Sequence, residues 1–257
     1  MKNFLLLIST LVITTACHLN IDTTIEDVKT AQRPIVTAPF EQICNTTPYK
    51  VLYEQGDSCG IWIDGEEKAV LSIEAKSDGK KLVITSTGST NITHGLKELL
   101  AMAIDEDNYD KIQTTIHITS PDLIGVEVKG SGEFTCNGIV DSDNLNISLE
   151  GSGDICFSDI ICDNANVTCI GSGDVEINKL TSINTNVELK GSGDIEIFQT
   201  NVSKTHAKLL GSGDIDITGD RCGSIIAEVL GSGDIDINGA FESIDEQISG
   251  SGSISTP

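Results

Sequence analysis

The chain has 257 residues, a formal net charge of −23 and a pI of about 4.3. That charge excludes nucleic acid and anionic membrane surfaces as electrostatic partners, and its ordinary meaning is solubility through mutual repulsion. Aromatic residues make up only 4 %, so stacking platforms for sugars or bases are scarce.

Residues 1–16 carry Lys2, an apolar core (Phe4–Ile8, Leu11–Ile13) and small residues before Cys17. The segment is too short to span a bilayer and reads as an export signal. Thr14-Thr15-Ala16-Cys17 resembles the bacterial lipobox, with Thr14 where Leu is usual. The resemblance implies that Cys17 is lipidated and becomes the new N-terminus, anchoring the protein to the membrane; plain secretion is the alternative. His18 in the next position, where no retention aspartate stands, implies the outer membrane. Residues 17–38 are polar, with Pro34 and scattered charges, and read as the anchor and a flexible tether.

Residues 39–120 read as irregular β structure. Lys50–Gln55, Val70–Lys76, Lys81–Thr85 and Ile112–Thr119 alternate as strands, with a turn at Ser77-Asp78-Gly79. His94–Ala103 is a short helix or an excursion. Irregular early coils suit the capped end of a solenoid.

Residues 121–257 run on a clock. Gly-Ser-Gly-Asp recurs at Gly151, Gly171, Gly191, Gly211 and Gly231, with Gly130 opening the series and Gly250 closing it without the Asp. The intervals are 21, 20, 20, 20, 20 and 19 residues. A fixed period of this length marks a solenoid. After each corner one apolar column is Ile155, Val175, Ile195, Ile215 and Ile235, and a second is Phe157, Ile177, Ile197, Ile217 and Ile237, with polar residues between. Before each corner the pattern repeats, from Val126/Val128 to Ala227/Val229. Alternation of period two is the strand signal.

Each period thus holds two strands meeting at a GSG corner. A shorter irregular return is anchored by Leu180, Ile183, Val202 and Ile225. The expected architecture is an all-β, single-chain, right-handed parallel β-helix of ~20-residue coils. Glycine suits a sharp corner because it accepts positive φ and close backbone approach. The aspartates that follow (Asp154, Asp174, Asp194, Asp214, Asp234) cap backbone N–H groups. Alternatively, stacked ~5 Å apart, they relieve their repulsion by sharing weakly bound Ca²⁺.

Phe40-Glu41-Gln42-Ile43, Lys50-Val51, the Gly79 turn with Leu82-Val83-Ile84, Ser120-Pro121-Asp122-Leu123 and the GSG ladder together resemble the putative auto-transporter adhesin, head GIN domain family, over about residues 39–247. The resemblance implies a parallel β-solenoid on the envelope of Bacteroidetes-type bacteria. It implies no catalytic residues.

Setting Cys17 aside leaves seven cysteines. Cys44 and Cys59 flank a strand and are the natural local disulfide. Cys169 falls in an inward column as a buried thiol. Cys162 and Cys222 share a column three coils apart, about 14 Å and too far to bridge. Cys136 and Cys156 have no evident partner either. His94, His117 and His206 accompany no hydrolase, zinc or phosphate-loop motif. The resulting expectation is a non-catalytic binding or adhesion module for a protein or glycan, without a cofactor. A passive structural lipoprotein and a polysaccharide-active enzyme are the alternatives. The enzyme is disfavoured because basic residues are thin along the ladder and acidic glycans would be repelled.

Overall fold

The computed structural model describes residues 29–87 and 113–257. The signal, Cys17 and the His94–Ala103 segment lie outside those residues. The fold is a parallel β-solenoid of about seven turns.

Its regular part begins with β8 (Gly125–Gly130) and β9 (Glu133–Gly151), which meet at the Gly130–Gly132 corner. β10 (Asp154–Gly171), β11 (Val175–Gly191), β12 (Ile195–Thr200), β13 (Lys204–Leu209), β14 (Ile215–Val229), β15 (Ile235–Ile248) and β16 (Ile254–Ser255) follow. Each pairs in parallel with its equivalent one coil on, so Ile155 faces Val175, which faces Ile195, then Ile215, then Ile235. These residues are at most 1 % exposed and fill the centre of the coil. Like stacks on like because a constant period returns the same residue to the same place.

The return segment is extended strand in most coils but breaks between Thr200 and Lys204, where Asn201 has φ +56°. β9, β10 and β11 run without a break through 19, 18 and 17 residues. Leu180, Val202 and Ile225 point inward as expected, but Ile183 is 51 % exposed. The inward positions around it are taken by Ser182 and Thr185, whose hydroxyls hydrogen-bond each other at 2.7 Å. Ile183 is therefore not an anchor.

The first and last intervals of the clock mark local irregularities. Between β9 and β10 the register slips across Phe157/Asp159, so that three steps from Cys136 to Ile139 face two. The extra residue of the 21-residue period is thus a bulge at Asn137–Gly138. Between β14 and β15 the slip has the same sense, three steps from Gly219 to Cys222 facing two from Gly239 to Phe241, and Phe241 lies over Gly219.

The N-terminal part builds its coils out of sequence order. β2 (Gln42–Asn45) stacks on β8, and β3 (Lys50–Gln55) on β9. β6 (Lys81–Ser86) then stacks on β2, and β7 (Thr115–Ser120) on β3. The remaining strands close the end as antiparallel partners: β4 (Gly60–Glu66) on β7, β5 (Ile73–Ser77) on β6 and β1 (Thr30–Pro34) on β4. Two expectations are corrected here. Thr30–Pro34 belongs to this cap rather than to a free tether, held by its ladder to β4. Val70 lies in a short helix, α1 (Glu67–Ser72), not in a strand. Val70 and Ile73, the residue that opens β5, are both fully buried in the core.

Ser120-Pro121-Asp122-Leu123 turns the chain from β7 into β8. Ser120 Oγ donates to Asp122 O at 2.7 Å, Asp122 Oδ1 accepts from Leu123 N at 2.8 Å, and Leu123 is fully buried.

Candidate functional site

The corner aspartates have a structural task. Asp174 N donates to Asp154 Oδ1 at 3.3 Å, and Asp194, Asp214 and Asp234 repeat the bond one coil on at 2.9–3.0 Å. Asp234 ends the series by accepting from Ser253 N at 2.7 Å. Each carboxylate therefore caps the amide of the next coil rather than its own turn. Among the described residues no three His, Cys, Asp or Glu side chains gather to hold a metal. One oxygen each of Asp154, Asp174, Asp194, Asp214 and Asp234 is therefore committed to an amide of the next coil, the task the capping alternative assigns them.

The disulfide expected between Cys44 and Cys59 is not formed; both are free thiols. Cys44 stands in an outward column, in register between Val83 and Glu127, and its thiol donates to the Glu127 carboxylate. Cys59 Sγ instead approaches Phe40 O at 3.7 Å. Burial, with Glu127 beside it, pushes the Cys44 thiol up to about 11. Cys169 is buried as expected.

Glu127 is the hub of this region. It pairs with Lys81 across the sheet and with Lys129 at 2.8 Å. Burial alone would raise its pKa, but hydrogen bonds from Lys129, Lys81 and Cys44 outweigh it and hold the carboxyl at about 2. A depressed carboxyl stabilises the fold above its unfolded value and stops doing so as pH falls toward its folded one. Glu127→Gln is therefore expected to cost about 1–2 kcal/mol at neutral pH. The difference from wild type should shrink as pH drops from about 4.5 toward 2. Urea titrations at several pH values test this. Asp216 has the opposite sign: burial, then Asp236, Glu196, Asp214 and Asp194, raise its pKa, so its charge opposes folding until acid removes it.

Asp216 belongs to an outward row that crosses the whole sheet. From the C-terminal end it runs Asp236, Asp216, Glu196, Glu176, Cys156, Thr135, Leu52, His117, Trp62. The row is acidic at one end and aromatic at the other. At the aromatic end the Trp62 and His117 rings stack 4.6 Å apart and 2° from parallel. His117 Nε2 lies 2.5 Å from Asp64 Oδ1, which fixes the imidazole in the stack. Trp62, the chain's single tryptophan, is 42 % exposed.

Beside this stack lies an open groove of about 420 Å³. Leu52, Tyr53, Trp62, His117 and Ile118 supply apolar lining, and Glu54, Thr119, Thr135 and Asn137 supply polar groups. The bulge at Asn137–Gly138 forms part of the wall. An added Cβ at Gly138 would meet nothing within 4 Å, so packing does not demand glycine there; its effect is to leave the groove open. Sequence reading singled out neither Trp62 nor the bulge. The signals were present: Trp62 interrupts inward Ile61 and Ile63 as an outward aromatic, and the first interval of the clock is one residue longer than the four that follow.

An elongated β-solenoid with an open, partly aromatic surface groove defines the class of protein: a surface module of the binding or adhesion type. The chain belongs to the family described as putative auto-transporter adhesin, head GIN domain, which it matches over residues 39–240. A putative adhesin from Bacteroides fragilis has the same fold at 25 % identity and a TM-score of 0.76, covering 89 % of this chain and 97 % of that one. A putative lipid binding protein from Parabacteroides distasonis shares it at 21 % identity and TM-score 0.68, over 90 % and 98 % of the two chains. A putative adhesin from Parabacteroides merdae does so at 16 % and 0.67, over 90 % and 97 %. Among curated proteins none matches. No described helix is long and apolar enough to cross a membrane.

Proposed function

We propose that this protein is a lipid-anchored envelope module that binds a surface ligand, without catalysis, through the groove beside Trp62. The observation that carries the reading is the exposed Trp62–His117 stack, held by Asp64, in a groove with polar groups on the solvent side of a rigid sheet. Aromatic side chains that present an apolar body to water beside polar groups are enriched at recognition surfaces. The family and the adhesins that share the fold support the same task. The apolar leader and Cys17 support anchoring at the outer membrane, with the solenoid held away from the bilayer.

Two experiments test the two parts. Labelled palmitate should enter the wild-type chain and not Cys17→Ser; equal labelling removes the anchor. The full chain on a glycan and extracellular-matrix array should give specific hits that Trp62→Ala abolishes. A silent array counts against the binding reading, and turnover of an arrayed polysaccharide would make the protein an enzyme.

A further inference from the structure

We propose that the Trp62 groove takes an uncharged saccharide, one or two sugar residues deep. This rests on the binding reading above and adds the ligand class. Three features of the groove converge on it.

The first is the platform. A pyranose ring has an apolar C–H face and a rim of hydroxyls. It needs a flat apolar surface bordered by short hydrogen-bonding groups. Trp62 and His117 stack face to face, so the pair offers its uncovered ring face and edges, and the Asp64 contact with the imidazole holds the stack in place before any ligand arrives. Little side-chain entropy then remains to be lost on binding. Thr119, Thr135, Asn137 and Glu54 stand around it. Thr119 Oγ1 donates to Ser58 O and Thr135 Oγ1 to Glu133 Oε1, which leaves both hydroxyl oxygens as acceptors for sugar hydroxyls. Among the described residues nothing pairs with the amide of Asn137 or the carboxylate of Glu54, and both side chains are exposed.

The second feature is charge. No Lys or Arg lines the groove. Lys50, two residues before Leu52, is engaged by Glu133. Glu54 and the overall charge of −23 repel uronic acids, sulfated glycans and phosphates. A hydroxyl-rich neutral ligand carries no such penalty.

The third is size. A volume of about 420 Å³ lies at the lower end of small-ligand sites, roughly 300–1,000 Å³. That suits a terminal mono- or disaccharide rather than a long chain laid across the sheet. The bulge supplies part of the wall: β10 has one residue fewer at this position, and two coils on the acidic row begins with Glu176.

Trp62 also supplies the assay, because its fluorescence reports on this site alone. The full chain is titrated with neutral disaccharides (cellobiose, lactose, maltose, chitobiose), with a heparin disaccharide, and with a lysine-rich peptide. At least one neutral disaccharide should give a saturable change. Gly138→Leu, which fills open space without meeting the core, should weaken that binding at least about tenfold, with an unchanged melting temperature. Trp62→Ala, followed by saturation-transfer NMR, should do the same. The proposal is overturned if no neutral sugar saturates, if the heparin disaccharide or the peptide binds in their place, or if both variants bind as the wild type does. Array hits that survive Trp62→Ala would keep the adhesion reading and remove this site. An array without hits would instead remove the reading beneath it.

Discussion

Gly193→Ala should lower the melting temperature by about 6–12 °C, while Gly138→Ala leaves it unchanged. A Cβ at Gly193 would fall 2.0 Å from the carbonyl oxygen of Gly173, 2.9 Å from its carbon and 3.0 Å from its nitrogen. Those are backbone atoms of the coil beneath, which no rotamer change can move. The backbone at Gly193 has no left-handed φ, so the demand is for space alone. At Gly191, with φ of +148°, the conformation and the clash combine. The obstruction recurs at Gly153, Gly173, Gly213 and Gly233, each with a carbonyl oxygen 1.8–1.9 Å from the added carbon. A shift large enough to admit the methyl would loosen Ser192 N→Gly171 O, 2.8 Å, and its neighbours in the corner ladder. Overpacking of this severity costs ~3 kcal/mol, and for a chain of this size each kcal/mol moves the midpoint by ~2–4 °C. Thermal denaturation of the two variants side by side is the measurement. A loss at Gly193 no larger than that at Gly138 would mean that the corners are not in contact.

The corner shows which parts of this fold a sequence can carry. Where one coil repeats another, a residue's place follows from its phase, so Ile155, Ile177, Ala207 and Val229 are all buried where alternation puts them. Phase alone does not say what a change of phase builds. The 21-residue interval before Gly151 is plain to count, yet only the pairing shows that its extra residue sits at Asn137–Gly138 beside the groove. The groove itself was hidden for a different reason. Asp64 and His117 are 53 residues apart and meet through an antiparallel pair that the parallel ladder did not announce. A low average of aromatic residues also says nothing about one that is well placed. Val70 misled because a helix of six residues is too short to show its period. Cys44 and Cys59 misled because nearness in sequence does not fix which way a thiol faces: β2 stacks between β6 and β8, and Cys44 is turned toward Glu127.

Phe157→Ala is expected to cost about 3–5 kcal/mol and to split the unfolding transition. Phe157 is fully buried, its ring centroid 5.4 Å from Phe134, which in turn stacks on Tyr53 at 5.9 Å. In register, Tyr53 faces Cys136, which faces Phe157. The small cysteine between two large rings leaves room for Phe134 to enter, so the three aromatics form one pile from β3 through β9 to β10. Further on, the Phe157 column is Ile177, Ile197, Ile217 and Ile237, each in register with the next. The pile therefore joins the out-of-order N-terminal coils to the regular ladder. In a stacked array, stability divides into repeats and the interfaces between them, and weakening one interface uncouples what lies on either side. Removing the Phe157 ring leaves a cavity at that joint which the surrounding β-branched side chains are too stiff to fill. The N-terminal coils should then melt first, seen as loss of Trp62 fluorescence anisotropy at a lower urea concentration than the loss of far-ultraviolet circular dichroism. Phe157→Leu, keeping most of the volume, should retain a single transition. If Phe157→Ala instead unfolds in one step, with both signals coinciding, the joint lies elsewhere and the isoleucine ladder carries the cooperativity of the whole molecule.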